Sequence, residues 1–182
     1  MRFTDEELAK IANWQPVAPG FDREDTTIDT HIRPILDRLA ADSRLGLRVI
    51  QDGGMSNYFA FLVYEAAEGR RPPGLEVRGV SCVVVQLSLM APVGVFGGST
   101  FSEGEDYFAC GNLGPDQVCD PASPSGWVAE VVVAAVHGIS PYRLVGREVT
   151  DQPLPPGVEI YEYCLSTEPW DRVFHALFAD TD

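Results

Sequence analysis

The residues able to act as a nucleophile or a base are few. The chain holds four cysteines, Cys82, Cys110, Cys119 and Cys164, and three histidines, His31, His137 and His175. A catalytic thiol works as its thiolate and needs a neighbouring base to form it. Cys110 is the best candidate, because it closes the stretch Tyr107-Phe108-Ala109-Cys110 and is followed by the flexible Gly111. His137 and His175 are the bases to pair with it. Against this stands an inert, partly buried thiol, since four cysteines and three histidines offer such a pairing in any chain. Cys82 and Cys164 lie in apolar runs and read as small buried hydrophobes. Cys110 and Cys119 flank a Gly/Pro-rich loop, which allows them to lie close in space. No CxxC pair occurs and the acidic start Met1–Glu7 is unlike an export signal, so reduced thiols and a cytoplasmic location are expected.

Other reaction motifs are broken. Gly97-Gly98-Ser99-Thr100-Phe101 begins like a nucleophile elbow but lacks its closing glycine. The histidines are too scattered for a metal-ligand pair. Asp22, Glu24, Asp25, Asp29 and His31 crowd before a helical segment, where acids suit the helix dipole without a metal. No phosphate-binding glycine motif is present, so neither metal nor cofactor is expected.

What remains is surface character. Asp plus Glu number 27 against 13 for Lys plus Arg, a formal net charge of −14. Such a field repels nucleic acid and anionic lipid and attracts basic surfaces. No apolar run is long enough to span a bilayer. The acids Glu103, Glu105, Asp106 and Asp116 share the segment Ser99–Gly126 with Phe101, Tyr107 and Phe108. Aromatic anchors beside acids suit an interface with a basic protein. The same aromatics would instead fold inward if the segment merely covers core. Phe101, Glu103, Glu105, Asp106, Tyr107 and Asp116 are the candidate binding residues.

These residues need elements to hold them. Thr4 and Glu7 form a capping box before a short helix carrying Leu8, Ile11 and Ala12. Ile28, Ile32, Ile35, Leu36 and Leu39 recur at helical spacing, predicting a second helix over 30–41 with Pro34 in its first turn. Strands are expected at 45–51, 58–65 and 77–90, with a short return at 93–96 bounded by glycines. The segment 99–126 reads as an irregular loop with an edge strand at 107–110. A helix over 127–137 should be capped by Ser125 and closed by a left-handed Gly138. Strands at 143–150 and 158–165 should follow. A last helix, capped by Ser166 or Thr167, should carry the stripe Trp170, Val173, Phe174, Leu177 and Phe178.

This order predicts a single α+β domain over 1–182, with an N-terminal helical segment over 1–42. A mostly antiparallel sheet of five to seven strands should carry packed helices. The function expected is non-catalytic: an acidic binding protein, such as an inhibitor or immunity protein for a basic partner. This rests on compositional analogy. The alternative is a small enzyme using Cys110 or loop carboxylates in a cleft. The sequence does not fix an oligomeric state.

Overall fold

The computed structural model describes residues 2–22, 25–54, 56–67, 69, 76–111, 113–160 and 169–179. The first helix, α1 (Asp5–Ala12), starts as its sequence dictates. The Glu7 amide donates to Thr4 Oγ1 at 3.2 Å, and the Thr4 amide donates to Glu7 Oε2 at 2.8 Å. Two amides without intrahelical partners are thereby satisfied. Leu8, Ile11 and Ala12 are buried.

The second helical segment begins earlier than expected. A turn, α2 (Asp25–Thr27), passes through a π-helical stretch, Ile28–Ile32, into α3 (Arg33–Ala40). Pro34 supplies the reason. It has no amide to donate, and its ring crowds the carbonyl four residues back in an α-helix. In the wider turn the Arg33 amide donates to the Ile28 carbonyl, five residues back, and the helix continues past the proline.

Strands β1 (Leu45–Gln51), β2 (Tyr58–Glu65), β3 (Val77–Ser88), β4 (Val93–Glu103) and β5 (Phe108–Cys110) pair antiparallel in chain order. A two-residue strand, β6 (Arg143–Leu144), adds to β4 in parallel. The fold is α+β, with a mostly antiparallel six-stranded sheet. The remaining helices are α4 (Trp127–Ile139), α5 (Arg147–Thr150) and α6 (Val173–Leu177).

The β-ladder register sorts the sheet into two faces. Val49, Phe61 and Val85 lie opposite one another on one face, as do Leu47, Val63 and Val83. Helices α3 and α4 cover this face, α3 packing on β1 and α4 on β2. The other face carries Tyr58, Leu62, Val84, Cys82 and Phe101. Phe178, just past α6, meets the Tyr58 ring edge-on at 6.0 Å, which places α6 on this second face. Helix α1 packs on α6.

Several further expectations are corrected. The return strand does not stop at residue 96: β4 runs to Glu103 because its glycines serve close packing rather than turning. A Cβ at Gly97 would collide with Leu113 and the Gln117 carbonyl, and one at Gly94 with Leu87. Helix α4 has no side-chain cap from Ser125. It starts on Gly126 at φ +88°, and it passes through Gly138 to Ile139. Ser140 then closes it in an extended conformation, with Oγ donating to the Val136 carbonyl at 2.6 Å.

The expected strand 143–150 shrinks to β6 because the outer edge of β4 has little room. Val145 donates to the Gly94 carbonyl, Cys119 to Phe96 and Gly111 to Thr100, so three separate segments share that edge. Residues 147–150 turn into α5 instead. The last helix is also shorter than expected, starting after Arg172 with Pro169 and Trp170 outside it. Of the expected strand 158–165, residues 158–160 are irregular. Cys164, Ser166 and Thr167 lie outside the described residues, as do Glu24 and Glu168.

Candidate functional site

The candidate binding residues divide into three groups. Phe101 is a core residue of β4, only 3% exposed. Its ring lies 4.7 Å from Tyr64 and 6.1 Å from Phe108. As placed, it offers nothing to a partner, so the inward-folding reading holds for this aromatic. Glu103, two residues on, shares its face and ion-pairs with Arg48. The Arg48 guanidinium also stands over the Phe108 ring at 3.9 Å. Glu103 is thus half-buried and locally neutralised.

Asp116 is exposed but belongs to a charge cluster. Arg172 Nη1 lies 3.0 Å from Asp116 and 3.2 Å from Asp151, and Arg147 reaches both acids as well. The Arg172 hydrogen bond, with its charge, holds the Asp116 carboxyl below the usual carboxylate range. The cluster ties the segment after β5 to α5 and to the residue preceding α6. Leu113 and Val118 beside it are buried. Residues 113–119 therefore cover the sheet, and the Cys119 amide bonds its edge at Phe96 with 2.9 Å.

The third group is the tip of the β4–β5 hairpin. The Gly104 amide donates to the Tyr107 carbonyl at 2.9 Å and closes the turn. The Tyr107 ring lies over Gly104, where a Cβ would enter it. That is why glycine suits this position. Glu105, Asp106 and Tyr107 are all exposed, Tyr107 by 42%. The Tyr107 hydroxyl also reaches Arg78, which ion-pairs with Glu76. Of the six candidates, this tip alone combines exposed acids with an exposed aromatic.

The thiol–imidazole pairing fares differently. His137 Nε2 accepts from the Leu144 amide at 3.2 Å and fastens α4 to β6. His175 is buried in α6, with Nδ1 accepting from the Arg172 amide at 3.2 Å. The Cys110 thiol donates to the Gly111 carbonyl at 3.4 Å, and no histidine is among the causes that shift it. Cys82 was read from sequence as a mere hydrophobe. The alternation of β3 places it on a face, but only the pairing of β3, β4 and β5 puts Cys110 on that same face.

Sequence reasoning also missed the gap between helices α3 and α4. A groove of about 820 Å³ runs there, lined by Leu39, Val131, Ala135 and Ile139, with Arg38 and Arg44 at its rim. Arg44 sits 5.0 Å above the Trp127 ring and pairs with Asp42. Neither the groove nor the Arg44–Trp127 contact is visible in spacing, because α3 and α4 are distant in sequence. A smaller cavity of about 280 Å³ opens over Ser81, Val83 and Gly98, beside Trp127.

Among the described residues, no three His, Cys, Asp or Glu side chains are grouped to hold a metal ion. No helix of the described residues is long and apolar enough to cross a membrane. Comparison with protein-family models, with curated proteins and with solved structures finds no match.

Proposed function

We propose that this chain is a binding protein for a basic protein partner, and that the β4–β5 hairpin tip is its contact. Inhibitors and immunity proteins of basic enzymes are the class of protein this reading fits. One observation carries it: Glu105, Asp106 and Tyr107 are exposed together on a turn pinned by the Gly104–Tyr107 hydrogen bond. A rigid aromatic costs little ordering entropy on binding, and acids beside it steer a basic partner toward it. The net charge of −14 extends that steering over the whole surface. Phe101 and Asp116 are structural in this reading, since the core and the arginine cluster occupy them.

The test starts by capturing a partner on the full chain. The same capture is then repeated with a variant carrying Glu105→Gln, Asp106→Asn and Tyr107→Ala. Association with that partner should slow as salt rises, because the steering is screened over about 8–10 Å at physiological ionic strength. The acid substitutions should lower the association rate and flatten its salt dependence. Tyr107→Ala should mainly speed dissociation. An unchanged association rate and salt slope in the variant would refute the hairpin as the contact.

A further inference from the structure

The groove between α3 and α4 has two features that packing alone does not require. Gly138 lies inside α4, where glycine weakens a helix relative to alanine. A Cβ there would meet nothing within 4 Å, and the backbone is ordinary helix, so neither contact nor conformation calls for glycine. The missing side chain keeps the groove open where α4 forms its wall. Ile139 beside it is 47% exposed, one of three large apolar side chains left exposed among the described residues.

The second feature is charge. The chain carries −14 overall, yet this rim is cationic. Among its described lining residues Asp42 is the one acid, set against Arg38 and Arg44. Arg44 grips Asp42 through Nε at 2.9 Å and Nη2 at 2.6 Å, so that pair is neutral and held in place. Arg38, four residues before Asp42, enters no ion pair among the described residues. Its exposed guanidinium is left at the mouth of an apolar groove.

We propose that this groove binds a medium-chain aliphatic carboxylate, with Arg38 holding the head group and the apolar walls of α3 and α4 holding the chain. Its volume of about 820 Å³ lies within the range of about 300–1,000 Å³ for small-molecule sites, which are mostly apolar with a few placed polar groups. Leu39 and Ala135 line it as buried residues, and Val131 and Ile139 as more exposed ones. From Val131 to Ile139 the helix advances by about 12 Å, the extended length of a chain of about ten carbons. A guanidinium presents paired N–H donors in a fork that matches the two oxygens of a carboxylate. A neutral chain of the same length would gain the apolar burial alone. The site is independent of the hairpin contact proposed above, and its charge preference has the opposite sign.

Decanoate and decanol, each below its micelle-forming concentration, are titrated into the full chain by isothermal titration calorimetry. Decanoate should bind saturably and at least about tenfold tighter than decanol, because hydrogen bonds between charged partners are the strong ones. Amide signals of residues 38–44 and 131–139 should move in proton–nitrogen correlation spectra. Arg38→Gln should remove most of the preference for decanoate while leaving decanol unchanged, and Arg38→Lys, which keeps the charge without the fork, should retain part of it. Arg38 and Gly138 are both exposed, so these variants should fold. Gly138→Ala should leave binding near that of the parent chain, since the added methyl meets nothing within 4 Å. Gly138→Leu should fill the groove and weaken both ligands by about tenfold or more. Equal affinity for decanoate and decanol, or unchanged decanoate binding in Arg38→Gln, would overturn the role given to Arg38. Absence of saturable binding, signals moving only elsewhere, or unchanged binding in Gly138→Leu would overturn the site.

Discussion

The side-chain amide of Asn57 donates to the carbonyl of Ala176 at 2.9 Å, joining the start of β2 to α6 across 119 positions of sequence. The Asn57 backbone amide reinforces this by donating to the Ala179 carbonyl at 3.1 Å. Both ends are fully buried. Asn57→Ala leaves the Ala176 carbonyl buried and without that donor, a loss of about 1–3 kcal/mol. Urea denaturation should show the midpoint falling with an unchanged slope.

The α6 residues fill the second face of the sheet. Phe174 and Phe178 are fully buried, with ring centroids 5.1 Å apart. Phe174→Ala should destabilise by about 3–5 kcal/mol, the range for removing a core aromatic. Phe174→Leu should cost clearly less. Equal, small effects in thermal melts of both variants would contradict the packing.

Two adjacent glycines of β4 should respond in opposite ways. A Cβ at Gly97 drives into Leu113 and the Gln117 carbonyl, while one at Gly98 meets nothing within 4 Å. Gly97→Ala should therefore cost about 1–3 kcal/mol through overpacking. Gly98→Ala should be near neutral, within about 0.5 kcal/mol. Chemical denaturation of the pair checks whether residues 113–117 lie against the sheet.

Stability should fall in mild acid through His175. Burial is the main cause that lowers its pKa, the Arg172 charge adds to it, and Asp171 opposes. The folded chain thus binds this proton less readily than the unfolded chain, whose histidine titrates near about 6.5. Stability is fully present above that value and is lost as pH falls below it, toward the lower folded-state pKa. Protonation also places a hydrogen on Nδ1, where the Arg172 amide points. Unfolding midpoints measured from pH 7.5 to 5 should decline, and His175→Gln, which keeps an acceptor at that helix position, should decline less.

Local chemistry fixed several elements outright. The Thr4–Glu7 capping box and the two apolar runs that become β1 and β2 need nothing from distant parts of the chain. Their bounds follow from the sequence because each is set by neighbours within a few residues. The α+β class follows too, since short links between strands favour antiparallel pairing. Where the reading stopped short, the deciding partner was remote. Residues 143–150 have strand-forming side chains, yet only two pair, because Cys119 and Gly111 already bond the edge of β4. Gly97 and Gly98 look alike in sequence, and only the segment folded over Gly97 makes it a contact position. Phe101 and Tyr107 are both aromatic and near acids. The register of β4 buries Phe101, while the hairpin turn exposes Tyr107. Cys82 and Cys110 come to one face only when three strands align. Composition set the charge of the surface, but tertiary pairing decided which residues that surface presents.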